Sequence, residues 1–569
     1  MKRRWLTVDL KSREVGETPV SPRQALHGGR WRTARELLDR GAAAADPLGP
    51  ENPLIITTGP FAGSSFSSAN RLSIGFRSPM TGGVKESNSG GTLAYALGRL
   101  GIAGLTLLNG ASSWVLIHIS EDGLRFEDAS PYLGRGVYET AEMLRERYPR
   151  ASGIGLIGPV AEYGGLLAGF SMTDSDGVPG RLSARGGTGA VFAAKRVKAI
   201  VVEGGATPEF ARSREFKQAM REYAAALMAD DGVRRYTVVG TAGTADFENM
   251  LGGLPTRNFS KGRFADGENP LGGEVMRRTI LERDGQGATE HACMPGCVIK
   301  CSNKFPDPNG RVIVSPLEYE TLGVAGSNLC LQTLDEVAEL NRLANDLGID
   351  TIEFGAVLGV AMDAGLGEWG SLEFVRRVAA ELRRGSQEGR RYAAGAARFG
   401  RAIGHGRVPT VRDQAMSAYD PRVVEGTGVT FMTSAQGADH TTGNVARLNP
   451  REKTIEELIE LSFTAQVNMG LADALGLCAF GGSVNNVQKE KVMQAAGLAA
   501  GLETSAADFD RIGREVLAME LEFNRAVGLP DVMPLPDFMY REPLPPRNLT
   551  ARVRPEDLAG FWDRLSERS

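Results

Sequence analysis

Over roughly the first 205 residues, apolar positions come in short runs broken by turn residues. Pro53-Leu54-Ile55-Ile56-Thr57-Thr58 runs into Gly59-Pro60. Trp114 to Ile119 and Lys198 to Glu203 repeat the pattern, and Met1 to Leu10 also reads as a strand. Gly104 to Leu108 is followed by Asn109-Gly110, which predicts a hairpin turn. These signals predict packed antiparallel sheets. Near Pro208 the period lengthens, and Glu209 to Met228 predicts one long amphipathic helix. Thr333 with Glu336, and Thr454 with Glu457, are capping-box patterns ahead of apolar helical faces. Ser371 opens another helix, and Pro543, Pro545 and Pro546 mark an irregular tail. The pattern predicts an α+β chain, with β-rich structure first and mainly helical structure after it.

At 569 residues the chain exceeds what one core organises, so two to four domains are expected. A net charge of −4 gives no electrostatic case for nucleic acid or an anionic membrane as partner. There is no apolar stretch of spanning length and no secretory h-region, which predicts a cytoplasmic protein. Glycine is the outlier: 72 residues, against an ordinary share of about 7%. Clustered outside any collagen period, it predicts tight turns and close approach of backbone to a ligand.

Five cysteines do not make a disulfide scaffold, but three fall within nine residues: Cys293, Cys297 and Cys301. Pro295-Gly296 interrupts any helix there, so a loop wrapped around a compact object fits better. A [4Fe–4S] cubane needs a fourth ligand, for which Cys330 and Cys478 are candidates. A zinc site completed by His291 is chemically open too, and would make the chain a zinc-stabilised, non-catalytic binding protein.

Four further segments resemble the tungsten-containing aldehyde:ferredoxin oxidoreductase family along nearly the whole chain. Gly59-Pro60 to Asn70-Arg71, with Lys85-Glu86-Ser87-Asn88-Ser89-Gly90-Gly91, resembles its first pterin-binding segment. The match implies that Arg71 lies between pterin and cluster. It places the Asn88 carbonyl toward a Mg²⁺ bridging the pterin phosphates, and makes Gly90 a point of close backbone approach. Ala184-Arg185-Gly186-Gly187-Thr188-Gly189 resembles the second segment, with Arg185 and the Gly186 carbonyl in the matching places. Asn345-Asp346-Leu347-Gly348-Ile349-Asp350 and Asp473-Ala474-Leu475-Gly476-Leu477-Cys478 resemble the family's paired Asp-x-x-Gly-x-Asp/Cys motifs, one per pterin. Carboxylates there suit donor-rich ring edges. The first motif departs in opening with Asn345. Cys478 becomes the fourth cluster ligand, and Cys330 a buried free thiol. Three residues between Cys293 and Cys297, where the family commonly has two, are a second departure.

Pro316-Leu317-Glu318-Tyr319-Glu320-Thr321 and Ser434-Ala435-Gln436-Gly437-Ala438-Asp439-His440 resemble the two active-site stretches. They put Glu318 and His440 at the proton-handling positions, with Glu320 the competitor in register. The resemblance implies a β-rich base domain over residues 1–208 and helical domains over 209–410 and 411–569. It implies a bis-pyranopterin tungsten or molybdenum centre and a [4Fe–4S] cluster. The implied reaction oxidises a small-molecule aldehyde to the acid, electrons leaving to ferredoxin or a dedicated Fe–S subunit. Reduction of an aromatic acid derivative or acyl-CoA thioester on the same cofactor is the alternative within the class. The oligomeric state is open, a homo-oligomer included.

Overall fold

The computed structural model describes residues 3–566. Contacts divide the chain into two compact units assembled from interleaved segments. The first takes the chain up to Arg234 with Ala292–Lys300 and Val467–Leu529; the second takes Arg235–His291, Cys301–Gln466 and the chain from Pro530. Three consecutive domains were the expectation, and this division differs from it because late segments pack with the N-terminal part.

Two six-stranded sheets build the first unit. One runs in the order β2-β1-β6-β3-β4-β5, from β1 (Arg4–Asp9), β2 (Glu14–Pro19), β3 (Leu54–Thr58), β4 (Leu72–Arg77), β5 (Val84–Ser89) and β6 (Ile102–Leu108). The other runs β11-β10-β9-β12-β7-β8, from β7 (Val115–Ser120), β8 (Gly123–Asp128), β9 (Ala151–Ile157), β10 (Phe170–Met172), β11 (Arg181–Ser183) and β12 (Val197–Glu203). The expected N-terminal strand is β1; Met1 and Lys2 lie outside the described residues. β3 is buried throughout and β12 nearly so, as their unbroken apolar runs require. β2 lies at an edge with every residue exposed, and Glu14 and Glu17 suit that place.

Three expectations are corrected here. The sheets are mixed: β1 pairs parallel with β6, and β7 with β12. Apolar period reports which face is buried but not strand direction, and the long stretches between these strands supply the crossovers. Asn109-Gly110 is no hairpin, because both edges of β6 are already paired, with β1 and β3. Asn109 takes φ +58° and donates to Asp9 Oδ2 at 2.7 Å, and the chain passes on to the other sheet. The helix expected from Glu209 begins later, at Arg214–Ala229. Ser213 caps it by accepting from the Phe216 N–H at 3.2 Å, after a short turn at Phe210–Arg212.

The second unit is mainly helical. The helix Thr351–Asp363 is buried from Ile352 to Met362 and forms its centre. Its one buried acid, Glu353, accepts from the Ala396 N–H at 2.7 Å and the Ala415 N–H at 3.0 Å. Both capping boxes form as expected: Thr333 caps Leu334–Leu347, and Thr454 exchanges bonds with Glu457 at the start of Ile455–Ala474. Ser371 caps Leu372–Arg384. No single helix among the described residues is long and apolar enough to cross a membrane.

Candidate active site

In the first unit, the β4–β5 hairpin sets Asn88 opposite Ser73, two residues after Arg71. Arg71 Nε donates to Asn88 Oδ1 at 2.6 Å and Nη2 to the Asn88 carbonyl at 3.3 Å. Asn88 Nδ2 in turn donates to Asp473 Oδ1 at 3.1 Å, and Asp473 Oδ2 accepts from Arg30 at 3.3 Å. Arg30, 1% exposed, grips Glu520 with two bonds of 2.7 Å. Buried charges persist only when paired in this way. Burial, then the nearby Glu86, pushes the Asp473 carboxyl up to about 8, against the pull of Arg30 and Arg71.

That rise carries a sign. A carboxyl near 3.9 unfolded and about 8 folded stabilises the fold fully below about pH 4, and the contribution is lost as pH climbs toward 8. Without cofactor, the parent therefore loses stability relative to Asp473→Asn across that window. Urea midpoints at pH 5 and pH 8 measure this; a parent–variant gap that stays constant would contradict it.

Three of the candidate ligands meet in the same unit. Burial is the largest cause of a rise in the Cys293 thiol, which reaches about 12, and in that of Cys478; Cys297 lies close enough to add to both, and Cys478 adds to that of Cys293. Arg71 hydrogen-bonds Cys478, and Ser68 Oγ lies 3.4 Å from Cys297 Sγ. The Cys478 N–H donates to the Ser68 carbonyl at 2.8 Å. A side chain at residue 90 would put its Cβ 2.9 Å from Cys293 Sγ, so glycine is needed there. Two buried thiols and a half-buried one, crowding without a disulfide beside an arginine, fit a metal cluster bound as thiolates. Cys301 belongs to the second unit by its contacts. Cys330 is half-buried, which corrects the expected buried thiol; it takes φ +62° at the end of a short turn, where the chain turns outward. Gly186, at φ +77°, accepts from Ser78 Oγ at 2.7 Å, and Arg185 before it is buried.

The paired motifs fold alike, one in each unit. The helix Leu334–Leu347 ends with the Gly348 N–H on the Asn345 carbonyl and the Ile349 N–H on that of Ala344. The helix Ile455–Ala474 ends with Gly476 on Asp473 and Leu477 on Ala472. Both glycines sit at φ +69° in the same left-handed helix stop. Asp350 and Cys478 then each cap the next helical turn, and Asp350 accepts from the Ile352 N–H at 3.0 Å. Each stop aims the side chain three residues before the glycine and the one two after it.

The proton-handling candidates lie in the second unit. Asn303 clamps the backbone of Leu317 from both sides, at 2.8 and 3.1 Å, and Asn341 holds the Pro316 carbonyl at 2.6 Å. Helical geometry then starts at Glu318, whose carbonyl accepts from Thr321 and Leu322. Residues two apart on a helix lie about 200° apart, so Glu318 and Glu320 diverge. Glu318 binds the Thr241 hydroxyl and, at 3.3 Å, that of Ser302. Glu320 accepts from the Ala418 N–H at 2.8 Å and sets its other oxygen 3.2 Å from His440 Nε2. The structure thus pairs His440 with Glu320, the competitor, rather than with Glu318. His440 follows Asp439, which caps the turn His440–Thr442. Its Nδ1 is buried without a hydrogen bond, and its ring lies 5.6 Å from Tyr419, itself 5.4 Å from Tyr319.

Sequence reading missed Glu248. It is fully buried, neither carboxyl oxygen is hydrogen-bonded, and burial followed by Glu320 holds its carboxyl well above the usual range. Burial thus favours the protonated form of this carboxyl, close to Glu320. The signal was available: Glu248 interrupts the apolar stripe Ala245, Leu251 on the buried face of Gly243–Leu251.

Comparison with known proteins settles the ancestry. Residues 5–204 match the model of the aldehyde ferredoxin oxidoreductase N-terminal domain, and residues 218–561 match that of domains 2 and 3. The chain belongs to the aldehyde ferredoxin oxidoreductase family. The tungsten-containing aldehyde ferredoxin oxidoreductase of Thermococcus kodakarensis is 30% identical over 95% of this chain and 92% of its own length. That of Pyrococcus furiosus is 29% identical over 91% and 87%. A further family relative, the WOR-like subunit of an aliphatic sulfonate oxidoreductase from Pyrococcus furiosus, is 27% identical over 63% and 58%. Among solved structures, the active-site complex BamBC of benzoyl coenzyme A reductase, in complex with 1,5-dienoyl-CoA, superposes with a TM-score of 0.81. It covers 100% of this chain and 95% of that one at 17% identity, a likeness of fold. The family relatives are oxidoreductases, and so is this chain.

Proposed function

We propose that this family member oxidises an aldehyde to the carboxylic acid at a bis-pterin tungsten or molybdenum centre. The observation that carries the reading is the half-buried His440–Glu320 pair beside Tyr419, with the enclosed Glu248 carboxyl, held well above its usual range, close to Glu320. The two matching helix stops would each take one pterin, through Asn345, Gly348 and Asp350 and through Asp473, Gly476 and Leu477. Arg71, Asn88 and Gly90, with Arg185 and Gly186, would complete the pterin contacts, and the Asn88 carbonyl would face Mg²⁺. Cys293, Cys297 and Cys478 would hold the [4Fe–4S] cluster with Cys301, four residues beyond Cys297. Bound there, the metal centre supplies the Lewis acid and two-electron acceptor.

The chain's own residues handle protons. Oxidation of RCHO with water to RCOOH releases two electrons and two protons. His440 Nε2 takes a proton from the attacking water or hydrate, and Glu320 Oε1 holds the imidazolium that results. The buried rings of Tyr319 and Tyr419 lower the local dielectric on one side of the half-buried pair, which strengthens the pairing. A cluster held by the cysteines would carry the two electrons onward to ferredoxin or a partner Fe–S subunit.

The expectation is that Glu320→Gln lowers aldehyde-dependent viologen reduction by about 10²-fold. Glu318→Gln, which keeps the bonds to Thr241 and Ser302, lowers it by less than tenfold. The reverse ranking would return the role to Glu318. Assays in the opposite direction, with reduced viologen and an acid or acyl-CoA, separate oxidation from the reductase alternative.

A further inference from the structure

Beside the cysteines of the first unit stands a tyrosine that takes no part in the proposed chemistry. Tyr223 lies on the buried face of the helix Arg214–Ala229, with Leu227 a turn after it and Phe216 on the same face before it. Its ring stacks on Phe66 at 4.6 Å, and Phe66 stacks on Phe61 at 4.2 Å, both phenylalanines fully enclosed. Burial, then Cys478 and Cys297, push its phenol up, so the hydroxyl keeps its proton within reach of both sulfurs. That proton is turned to Asn485: the Tyr223 hydroxyl donates to Asn485 Oδ1 at 2.7 Å.

Asn485 belongs to the short helix Gly482–Val487 and is 2% exposed. The tyrosine fixes Oδ1, which leaves Nδ2 with its two hydrogens, and among the described residues no acceptor takes either. A buried donor left unused is costly to keep, so it asks for a partner. The turn Ala479–Gly481, which Cys478 opens, runs against it. A Cβ on Gly481 would stand 3.0 Å from the Tyr223 hydroxyl and 3.6 Å from Asn485 Nδ2, so glycine is what lets phenol and amide close on that turn. The sulfurs there already collect donors. Arg71 and the Phe480 N–H hydrogen-bond Cys478, and Ser68 Oγ lies 3.4 Å from Cys297 Sγ. Asn485 stands one hydrogen bond beyond a hydroxyl that feels both sulfurs, and its spare N–H groups suit the same kind of acceptor.

We propose that Asn485 donates an N–H to the sulfurs of the cluster, that Tyr223 is the positioning residue that fixes its amide, and that the two together raise the cluster's reduction potential. This rests on the reading that the cysteines hold an iron–sulfur cluster, and adds the residues that tune it. A donor facing sulfur favours the reduced cluster, which carries the extra negative charge. The pair thereby makes the cluster a readier acceptor of electrons.

The test is a redox titration of the iron-loaded protein, followed by the paramagnetic signal of the reduced cluster, with iron counted in every sample. Asn485→Leu keeps the bulk and drops the amide. It is expected to lower the reduced-to-oxidised ratio at a fixed solution potential by about tenfold, or ~59 mV for one electron. Tyr223→Phe keeps the ring on Phe66 and frees the amide to turn, so the ratio falls in the same direction by less. The double variant falls no further than Asn485→Leu alone, because the tyrosine acts only through the amide. Should Asn485→Leu lose its iron, Tyr223→Phe carries the test by itself. Iron at the parent's level with an unchanged potential in the loaded variants overturns the proposal and leaves the cluster standing. A drop in Tyr223→Phe with none in Asn485→Leu makes the phenol the donor and overturns the role of the amide. A parent that binds no iron overturns the cluster reading, and the proposal with it.

Discussion

Asparagine at position 440 stops turnover while leaving the metals in place. The His440→Asn enzyme is expected to fall by about 10²–10⁴-fold in aldehyde-dependent viologen reduction, the range that a positioned proton carrier supplies. An asparagine amide falls near the Nδ1 position, so it gives up the 3.2 Å contact of Nε2 with Glu320 Oε1, and it cannot take and return a proton at neutral pH. The contacts of His440, Glu320 and the Tyr419 ring, include neither a cysteine nor a helix-stop residue. Tungsten, molybdenum and iron, counted by mass spectrometry, should therefore match the parent. Activity within tenfold of the parent would remove His440 from the mechanism. Loss of the metals together with the activity would make its role structural.

The second large effect is expected at the cluster. Cys478→Ala deletes a buried thiol that Arg71 bonds and that sits against Cys293 and Cys297. A cubane left with three thiolates is labile, so iron should drop from about four per chain to well under half of that. The brown colour and the low-temperature paramagnetic signal of the reduced cluster should go with it. Metal binding is also folding energy, so the variant should melt earlier than the loaded parent. Cys330→Ala, at a half-buried thiol near Arg257, is the control and should keep its iron. Full iron in Cys478→Ala, or zinc in place of iron in the parent, would defeat the cluster assignment.

Much of the architecture was legible in residue order. Capping boxes at Thr333 and Thr454, and the helix start at Ser371, are local signals whose partners lie within four residues, and each holds. The helix stops at Gly348 and Gly476 were visible for the same reason. Strand existence was legible too; strand direction was not, since parallel pairing of β1 with β6 depends on a crossover about a hundred residues long. Asn109-Gly110 misled because a turn signal says nothing about whether the edge beyond it is free. The choice between Glu318 and Glu320 turned on where helical geometry begins, a matter of one residue that depends on clamps by Asn303 and Asn341 from elsewhere in the unit. Glu248 was visible only as a charge in an apolar stripe, and its meaning came from the neighbours folded around it.

The grip of Arg30 on Glu520 spans 490 residues. An arginine so completely enclosed has no stable place until its acid exists, which ties the maturation of the first sheet to the last part of synthesis. At ordinary ribosomal rates the chain takes on the order of a minute to make. For most of that time Arg30 stays in water, and the helix Gly29–Asp39 that carries it cannot take its enclosed place. The emerging polypeptide is thus obliged to finish before that helix settles.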